Sequence, residues 1–343
     1  MSFVRNAWYV VGWSHAIPTT LEAHRILDED IVVYRTQDNT VVALEDQCPH
    51  KRLPLSLGRL DGDSIECGYH GMTFGPDGRC VRVPGLKRPP ESAWVRHFPT
   101  HEASGIVWIW MGDPQLADAI DIFDLAQLHA ADWATQFGDG LHFDANYLHL
   151  ADNLCDPAHV AFVHPTTLGN PQSAGVPVNV EMRDGALLTS RWVRDAPPIG
   201  FFKAFGNFSA NVDRWHYYYF HAPNIAVIDF GSIDTAVNAG EAEREHGIRL
   251  FALHFLTPVS ETQTIDHWMH VRNVGVTDPD MGERMNEQFR VAFAEDKVVL
   301  EAIQRREDKP RTRPPVPLAI DKGTLLMKRL VSELVERENT PGA

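Results

Sequence analysis

The chain has 343 residues, 44% hydrophobic, 10% aromatic and 22% charged, the composition of a folded globular protein long enough for two cores. Its 46 acidic residues outnumber 31 basic ones for a formal charge of −15, a surface that repels nucleic acid and anionic membrane. No apolar run approaches the roughly 18 residues of a membrane span; Met1–Val11 lacks the basic start and apolar core of a secretory signal, so a cytoplasmic protein is expected.

From about residue 3 to 112 the chain reads as short strands between turns. Ile31–Arg35 and Thr40–Leu44 are β-branched runs joined through Gln37-Asp38-Asn39, a hairpin. Gly75-Pro76-Asp77-Gly78 is a second tight turn, and Ile106–Trp110 is a strand closed by Gly112-Asp113-Pro114. The character then changes. Leu116–Trp133 reads as helical and connecting, and Asn146–Val163 as a helix stopped by Pro165. Strands follow at Ala186–Val193, Trp215–Phe220, Arg249–Thr257 and Thr264–Val274, and Met281–Arg306 is a long amphipathic helix ended by Pro310. A small all-β domain over residues 1–115 and an α+β domain over 116–343 are therefore expected.

The four cysteines are Cys48, Cys67, Cys80 and Cys155, and histidines number 17. In a cytoplasmic chain, metal binding is a better use for paired cysteines than disulfides. Cys48-Pro49-His50 is followed, after sixteen intervening residues, by Cys67-Gly68-Tyr69-His70. Each half supplies one thiolate and one imidazole, with glycines and prolines that let the loops bend over a shared centre. Two cysteines and two histidines suit zinc or a Rieske [2Fe–2S] cluster, in which histidines replace two cysteines on one iron. The mixed loops favour the cluster, because zinc fingers usually pair like with like and carry their histidines on a helix.

A second constellation is Asp152-Asn153-Leu154-Cys155-Asp156-Pro157-Ala158-His159, then His164. Two histidines and a carboxylate on one face make a non-haem iron(II) site with open positions for oxygen. His159 and His164 are five residues apart, so their convergence needs a local widening or the end of the helix. Asp156, one turn before His159, can hydrogen-bond that ligand. The carboxylate has two neighbouring candidates, Glu295 and Asp296, and spacing does not choose between them.

These segments resemble the oxygenase component of the Rieske non-haem iron aromatic oxygenases, most closely the vanillate O-demethylase and dicamba monooxygenase group. The likeness runs from Arg5-Asn6-Ala7-Trp8-Tyr9 through both loops and Asp152–His164 to Glu295-Asp296-Lys297. It implies an N-terminal all-β Rieske domain and a catalytic domain whose antiparallel sheet is flanked by helices in a helix-grip-like α+β fold. It implies that Cys48 and Cys67 hold one cluster iron and His50 and His70 the other. His159, His164 and Asp296 are then the ligands of the mononuclear iron, and Asp156 links a cluster histidine to an iron histidine across neighbouring subunits of a homotrimer, a head-to-tail ring. High-potential respiratory relatives add a cysteine to each loop; Leu53, Tyr69 and Met72 here match the low-potential oxygenase type.

The same resemblance implies a ferredoxin and/or flavin reductase that delivers electrons from NAD(P)H, O2 as co-substrate, and a small aromatic substrate. O-demethylation is the leading expectation; ring dihydroxylation and N-dealkylation are the alternatives. His254 matches a substrate-contacting histidine, although a core histidine satisfied by a neighbour reads equally well. Phe201, Phe202, Phe205 and Phe208 fit an apolar pocket or plain core, and no arginine stands out as a carboxylate clamp. Three positions depart from the usual pattern without touching a ligand: Lys51, Cys155 and Pro157. Glu287 lies in the helix where one relative has an aromatic residue near its substrate.

Overall fold

A computed structural model describes residues 3–340. The chain forms two compact units, one reaching to Phe123 and including Thr257–Glu261, the other comprising Asp124–Leu256 and the chain from Thr262 onward.

The first unit is built from three small antiparallel sheets. Glu29–Arg35 pairs with Val41–Glu45, with Ile31 opposite Glu45 and Arg35 opposite Val41. Their connection turns at Asn39, which takes φ 69°, a left-handed conformation that asparagine tolerates. Ile31, Val32, Val33 and Tyr34 are all buried, so this strand is covered on both faces and reads as a continuous apolar run. The smallest sheet joins Arg59–Asp61, Ser64–Glu66, Thr73–Phe74 and Cys80–Arg82. Val32, Tyr34, Leu44, Leu55, Ile65 and Phe74 share one core with Cys48 and Cys67.

The stretch Leu116–Trp133 is not the expected helix. It holds two short 3-10 turns, Pro114–Ala119 and Ala126–Leu128, separated by extended chain. Asp113 caps the first by accepting from the Gln115 amide. Most side chains there are exposed or only half-buried, and without a packed apolar face so short a helix does not hold.

In the second unit a seven-stranded antiparallel sheet runs in the order Ala134–Phe143, Gln263–Arg272, Ile248–Ser260, Ile225–Asp234, Val212–His221, Ala186–Ala196, Asn179–Arg183. The strands at the two edges and Ile225–Asp234 extend the sequence reading. Gly231 explains part of the difference. It interrupts an apolar run in Ile225–Asp234, and a Cβ there would meet the Trp215 ring at 2.1 Å, so a residue foreign to strands is required by close packing.

The long helix α4, Met281–Glu307, ends three residues before Pro310 and buries Met285, Phe289, Phe293, Asp296 and Leu300 along one side. Its phenylalanines pack with Tyr218, Phe230, Leu250 and Trp268 of the sheet. Each fully buried side chain of this kind contributes roughly 1.5–3 kcal/mol.

Asn146–Val163 is not one helix. Tyr147–Leu154 is helical, capped by the Asn146 side chain, and a separate single turn spans Val160–Val163. Pro157 supplies the break: it has no N–H, and it disfavours helical backbone at Asp156 before it. Asp156 Oδ1 then accepts from the Ala158 amide at 2.7 Å, a local turn that redirects the chain into His159. A terminal helix, Lys322–Asn339, completes the unit.

Candidate metal centres

The two cysteine loops are copies of one backbone device. Cys48 N–H donates to Leu53 O at 2.9 Å and Arg52 N–H to Cys48 O at 2.9 Å. Cys67 N–H donates to Met72 O at 2.8 Å and Gly71 N–H to Cys67 O at 3.1 Å. The fourth residue after each cysteine is left-handed, Arg52 at φ 62° and Gly71 at φ 70°. Gly58 lets the loops close up, since a Cβ there would lie 2.3 Å from Glu66 O and 2.9 Å from Leu55 O.

Both cysteines are buried, at 2% exposure, while His50 and His70 are exposed with ring centroids 4.6 Å apart. Burial, reinforced by the neighbouring Cys67, pushes the Cys48 thiol up, so paired thiolates here need a cationic centre to stabilise them. Two interior thiols and two outward imidazoles, brought together by matched turns, fit a cluster with its histidine-bound iron toward solvent.

In the second unit His159 and His164 flank the single helical turn Val160–Val163. His159 has helical φ and ψ of −60° and −28°, whereas His164 has left the helix at −116° and 48°. That exit makes residues five apart converge, so the helix end, not a widened turn, is the answer; the rings stand 5.3 Å apart at 73°. Asp296 of α4 brings Oδ1 to 3.2 Å from His164 Nε2 and 3.7 Å from His159 Nε2. One donor atom from each of the three lies within 4.8 Å of the others. A two-histidine, one-carboxylate set in one face suits ferrous iron with open positions.

Glu295 turns outward from this set. Its Oε2 lies 2.7 Å from His164 Nδ1 and accepts from Thr167 Oγ1 at 3.2 Å. The carboxylate thus fixes the tautomer that leaves His164 Nε2 facing Asp296. Asn153 Nδ2 donates to Asp296 Oδ1 at 2.8 Å. Burial lowers the His164 pKa, but Asp296 and Glu295 outweigh it and raise the net value. Burial raises Asp296, yet His164, His159 and Asn153 hold it below the usual carboxylate range. His159 differs: burial lowers its pKa, and its buried Nδ1 has no hydrogen-bond partner. Asp156 Oδ2 is 4.0 Å from that nitrogen, so the expected hydrogen bond is not formed within the chain.

The donor set forms one wall of a cavity whose other walls include His216, Tyr218, Phe230, His254, Phe289 and Phe293. His254 answers to both of its readings. Its Nδ1 is held by Asp266 Oδ2 at 2.7 Å, and its ring meets Phe293 edge-on at 5.1 Å while lining the cavity. Because a carboxylate only accepts, Nδ1 carries the proton in the neutral ring and Nε2 is an acceptor. Phe201 and Phe202 belong to the core, with Phe205 and Phe208 packed at its margin; none of the four lines the cavity. Glu287 is exposed, away from it.

The fold and its two donor sets define a Rieske-type iron oxygenase. The Rieske [2Fe–2S] domain matches residues 7–99 and the vanillate O-demethylase oxygenase C-terminal domain matches residues 143–337, and the chain belongs to that family. It is similar to the iron–sulfur subunit of the toluene-4-sulfonate monooxygenase system of Comamonas testosteroni, at 35% identity over 98% of each chain. It is 33% identical to the oxygenase component of dicamba O-demethylase of Stenotrophomonas maltophilia over 98% of this chain and 99% of that one. The crystal structure of dicamba monooxygenase bound to dicamba superposes with a TM-score of 0.88 at 31% identity, over 99% of each chain. The chain is thus an O2-dependent oxidoreductase, the oxygenase component of a Rieske monooxygenase of the demethylase and dealkylase kind, with a [2Fe–2S] cluster and a mononuclear non-haem iron as cofactors. Zinc is set aside. No helix among the described residues is long and apolar enough to cross a membrane.

Proposed function

We propose that this oxygenase acts in the cytoplasm on the alkyl group of a small aromatic compound, with O-demethylation as the leading reaction. The observation that carries this reading is the cavity, with His159, His164 and Asp296 on one wall and Phe230, Phe289 and Phe293 closing others. Residues 1–115 form the cluster domain in this reading and 116–343 the catalytic domain. Cys48, His50, Cys67 and His70 hold the cluster, and His159, His164 and Asp296 hold the iron.

When bound, the two iron centres supply electron delivery and oxygen activation. The chain supplies position and dryness. The aromatic walls exclude water and orient a flat ring, Glu295 fixes His164, and His254 offers Nε2 to a donor on the substrate. Insertion of one oxygen atom into a C–H bond of an O-methyl group gives a hemiacetal, which breaks its C–O bond to release the phenol and formaldehyde. An N-alkyl group is lost the same way, and a ring methyl group stops at the benzylic alcohol. The similarity to a toluene-4-sulfonate monooxygenase favours keeping that last outcome beside demethylation.

Electrons come from NAD(P)H through a flavin reductase and/or a ferredoxin, and Asp156 carries them between a cluster histidine and His159 of neighbouring subunits in a homotrimer. Three features support the link: Asp156 stands next to the unpartnered His159 Nδ1; Phe162 and Val298 are exposed at 74% and 68%; and Tyr69 and His70 are exposed beside the cysteines. Asp156→Asn should retain both metals and stop turnover, and sedimentation should give three chains; near-normal turnover would remove Asp156 from the path. The reaction is tested by supplying reductase and a panel of methoxylated, N-alkylated and ring-methylated aromatics. Formaldehyde or benzylic alcohol is expected, and a cis-diol in their place would turn the assignment to ring dihydroxylation.

A further inference from the structure

Apart from the iron donor set and its Asn153, the polar groups of the cavity wall fall at two ends. His254 stands on the strand Ile248–Ser260, with Asp266 on its Nδ1. His216 and Tyr218 stand two strands away on Val212–His221, about 10 Å across the sheet. They alternate along that strand and so share a face, and His216 Nδ1 lies 3.3 Å from Tyr218 Oη. The floor between the two ends is apolar. Tyr218 is opposite Ile228, and Ile228 is opposite Ala252, whose single methyl group leaves height for a flat ring. Both His216 and Tyr218 line the cavity. Neither has a polar side-chain atom sealed away without a partner, unlike His270, whose two ring nitrogens are both sealed.

The pair is uncharged. Burial, then Arg191, Arg214 and His159, hold the His216 pKa well below its ordinary value, and burial pushes the Tyr218 phenol up. A neutral imidazole has one donor and one acceptor nitrogen, and a phenol donates one proton and also accepts. If the phenol donates to Nδ1, then Nε2 carries the imidazole proton and the phenol oxygen still accepts. If Nδ1–H donates to the phenol oxygen, then Nε2 accepts and the phenol proton is free. Either way the pair offers one donor and one acceptor to the cavity. A carboxylate or sulfonate only accepts, so it sets lone pairs against the open acceptor, and no lysine or arginine lines the cavity to offset this.

We propose that His216 and Tyr218 are the specificity-determining pair of the cavity, and that they select a substrate whose ring carries a neutral group able both to donate and to accept, such as a phenolic hydroxyl or a primary carboxamide. The assignment rests on the oxidation proposed above and narrows it. An ether or an acid in place of that group satisfies one half of the pair and leaves the other half unpaired, which costs affinity.

The test is calorimetric binding to the reconstituted holoenzyme, which reads affinity without turnover. The probes are the isomers of methoxyphenol and methoxybenzamide, against the matching dimethoxybenzenes and methoxybenzoates. For at least one isomer the phenol or amide should bind roughly 30-fold tighter than its ether and its acid. Tyr218→Phe leaves a lone imidazole that can turn either tautomer to the ligand, so phenol and ether should then bind within about 3-fold of each other. A preference for phenols that survives in this variant, with cluster spectrum and unfolding midpoint unchanged, would place the hydroxyl elsewhere and overturn the proposal. The unaltered enzyme gives a check that needs no variant to fold: ethers or acids bound as tightly as the phenols and amides would also overturn it. Adding reductase and oxygen separates the two ideas. Formaldehyde released from ethers and acids without any binding preference defeats the pair alone, whereas Tyr218-dependent binding with no oxidised product defeats the oxidation reading alone.

Discussion

In the assignment proposed above, the cluster loops take their four donors from two copies of one short turn, each closed by its own backbone hydrogen bonds, and they leave both imidazoles at the surface. The mononuclear set takes its donors from the two ends of a single helical turn and from a helix far along the chain, and buries His164 and Asp296. A local site of the first kind depends on turn geometry and a few packed neighbours. A convergent site of the second kind depends on the whole core that holds α4 against the sheet, and on side chains such as Glu295 that never face the metal. Damage should therefore stay confined to one centre in each case, but its origin should differ: backbone space for the cluster, side-chain orientation for the iron.

The sharpest way to test that separation is Asp296→Ala. It removes the only carboxylate facing the two histidines among the described residues, so oxidation should fall to background while the reduced-cluster EPR signal keeps its shape and intensity. A cluster signal lost together with activity would mean the two centres are not independent. Cys67→Ser should do the reverse, removing the brown colour and the EPR signal while iron binding by His159, His164 and Asp296 persists.

Next in size is Gly58→Ala. The added Cβ meets two backbone carbonyl oxygens, Glu66 O and Leu55 O, which cannot swing aside as a side chain could. A loss of about 3 kcal/mol is expected from such a clash, read as a lowered unfolding midpoint for the cluster domain and a lower cluster occupancy. An unchanged midpoint would show that the loops do not depend on this close approach. Glu295→Gln is smaller and falls on the other centre. The amide can still meet His164 Nδ1 but no longer fixes its proton by charge, so iron affinity should drop by about 10–100-fold, measured by metal-buffered titration. Cluster content should not change.

The same contrast explains what was readable from the amino acids. Cys48-Pro49-His50 and Cys67-Gly68-Tyr69-His70 lie within short segments, so ligand chemistry and spacing suffice to suggest their centre. Pro157 was visible as well, but only as a departure from the usual pattern; its role is to end the helix Tyr147–Leu154 and let the chain restart at His159. Asp296 and Glu295 are adjacent on α4, and only tertiary packing tells which carboxylate faces inward, a distinction that required the family likeness.

The smallest expected effect is at Glu287. Helical geometry places α4 residues 289, 293 and 296 along one stripe, while residue 287 is turned about 200° from 289. The structure agrees: Phe289, Phe293 and Asp296 line the cavity, and the Glu287 side chain is exposed. Glu287→Ala should consequently change stability by no more than about 0.5 kcal/mol and leave KM, kcat and the cluster spectrum as they were. A rise in KM without a change in kcat would mean that substrate reaches this outer face of α4. The boundary of the site would then have to be redrawn from the cavity wall to the helix surface, although the convergence of His159, His164 and Asp296 would stand.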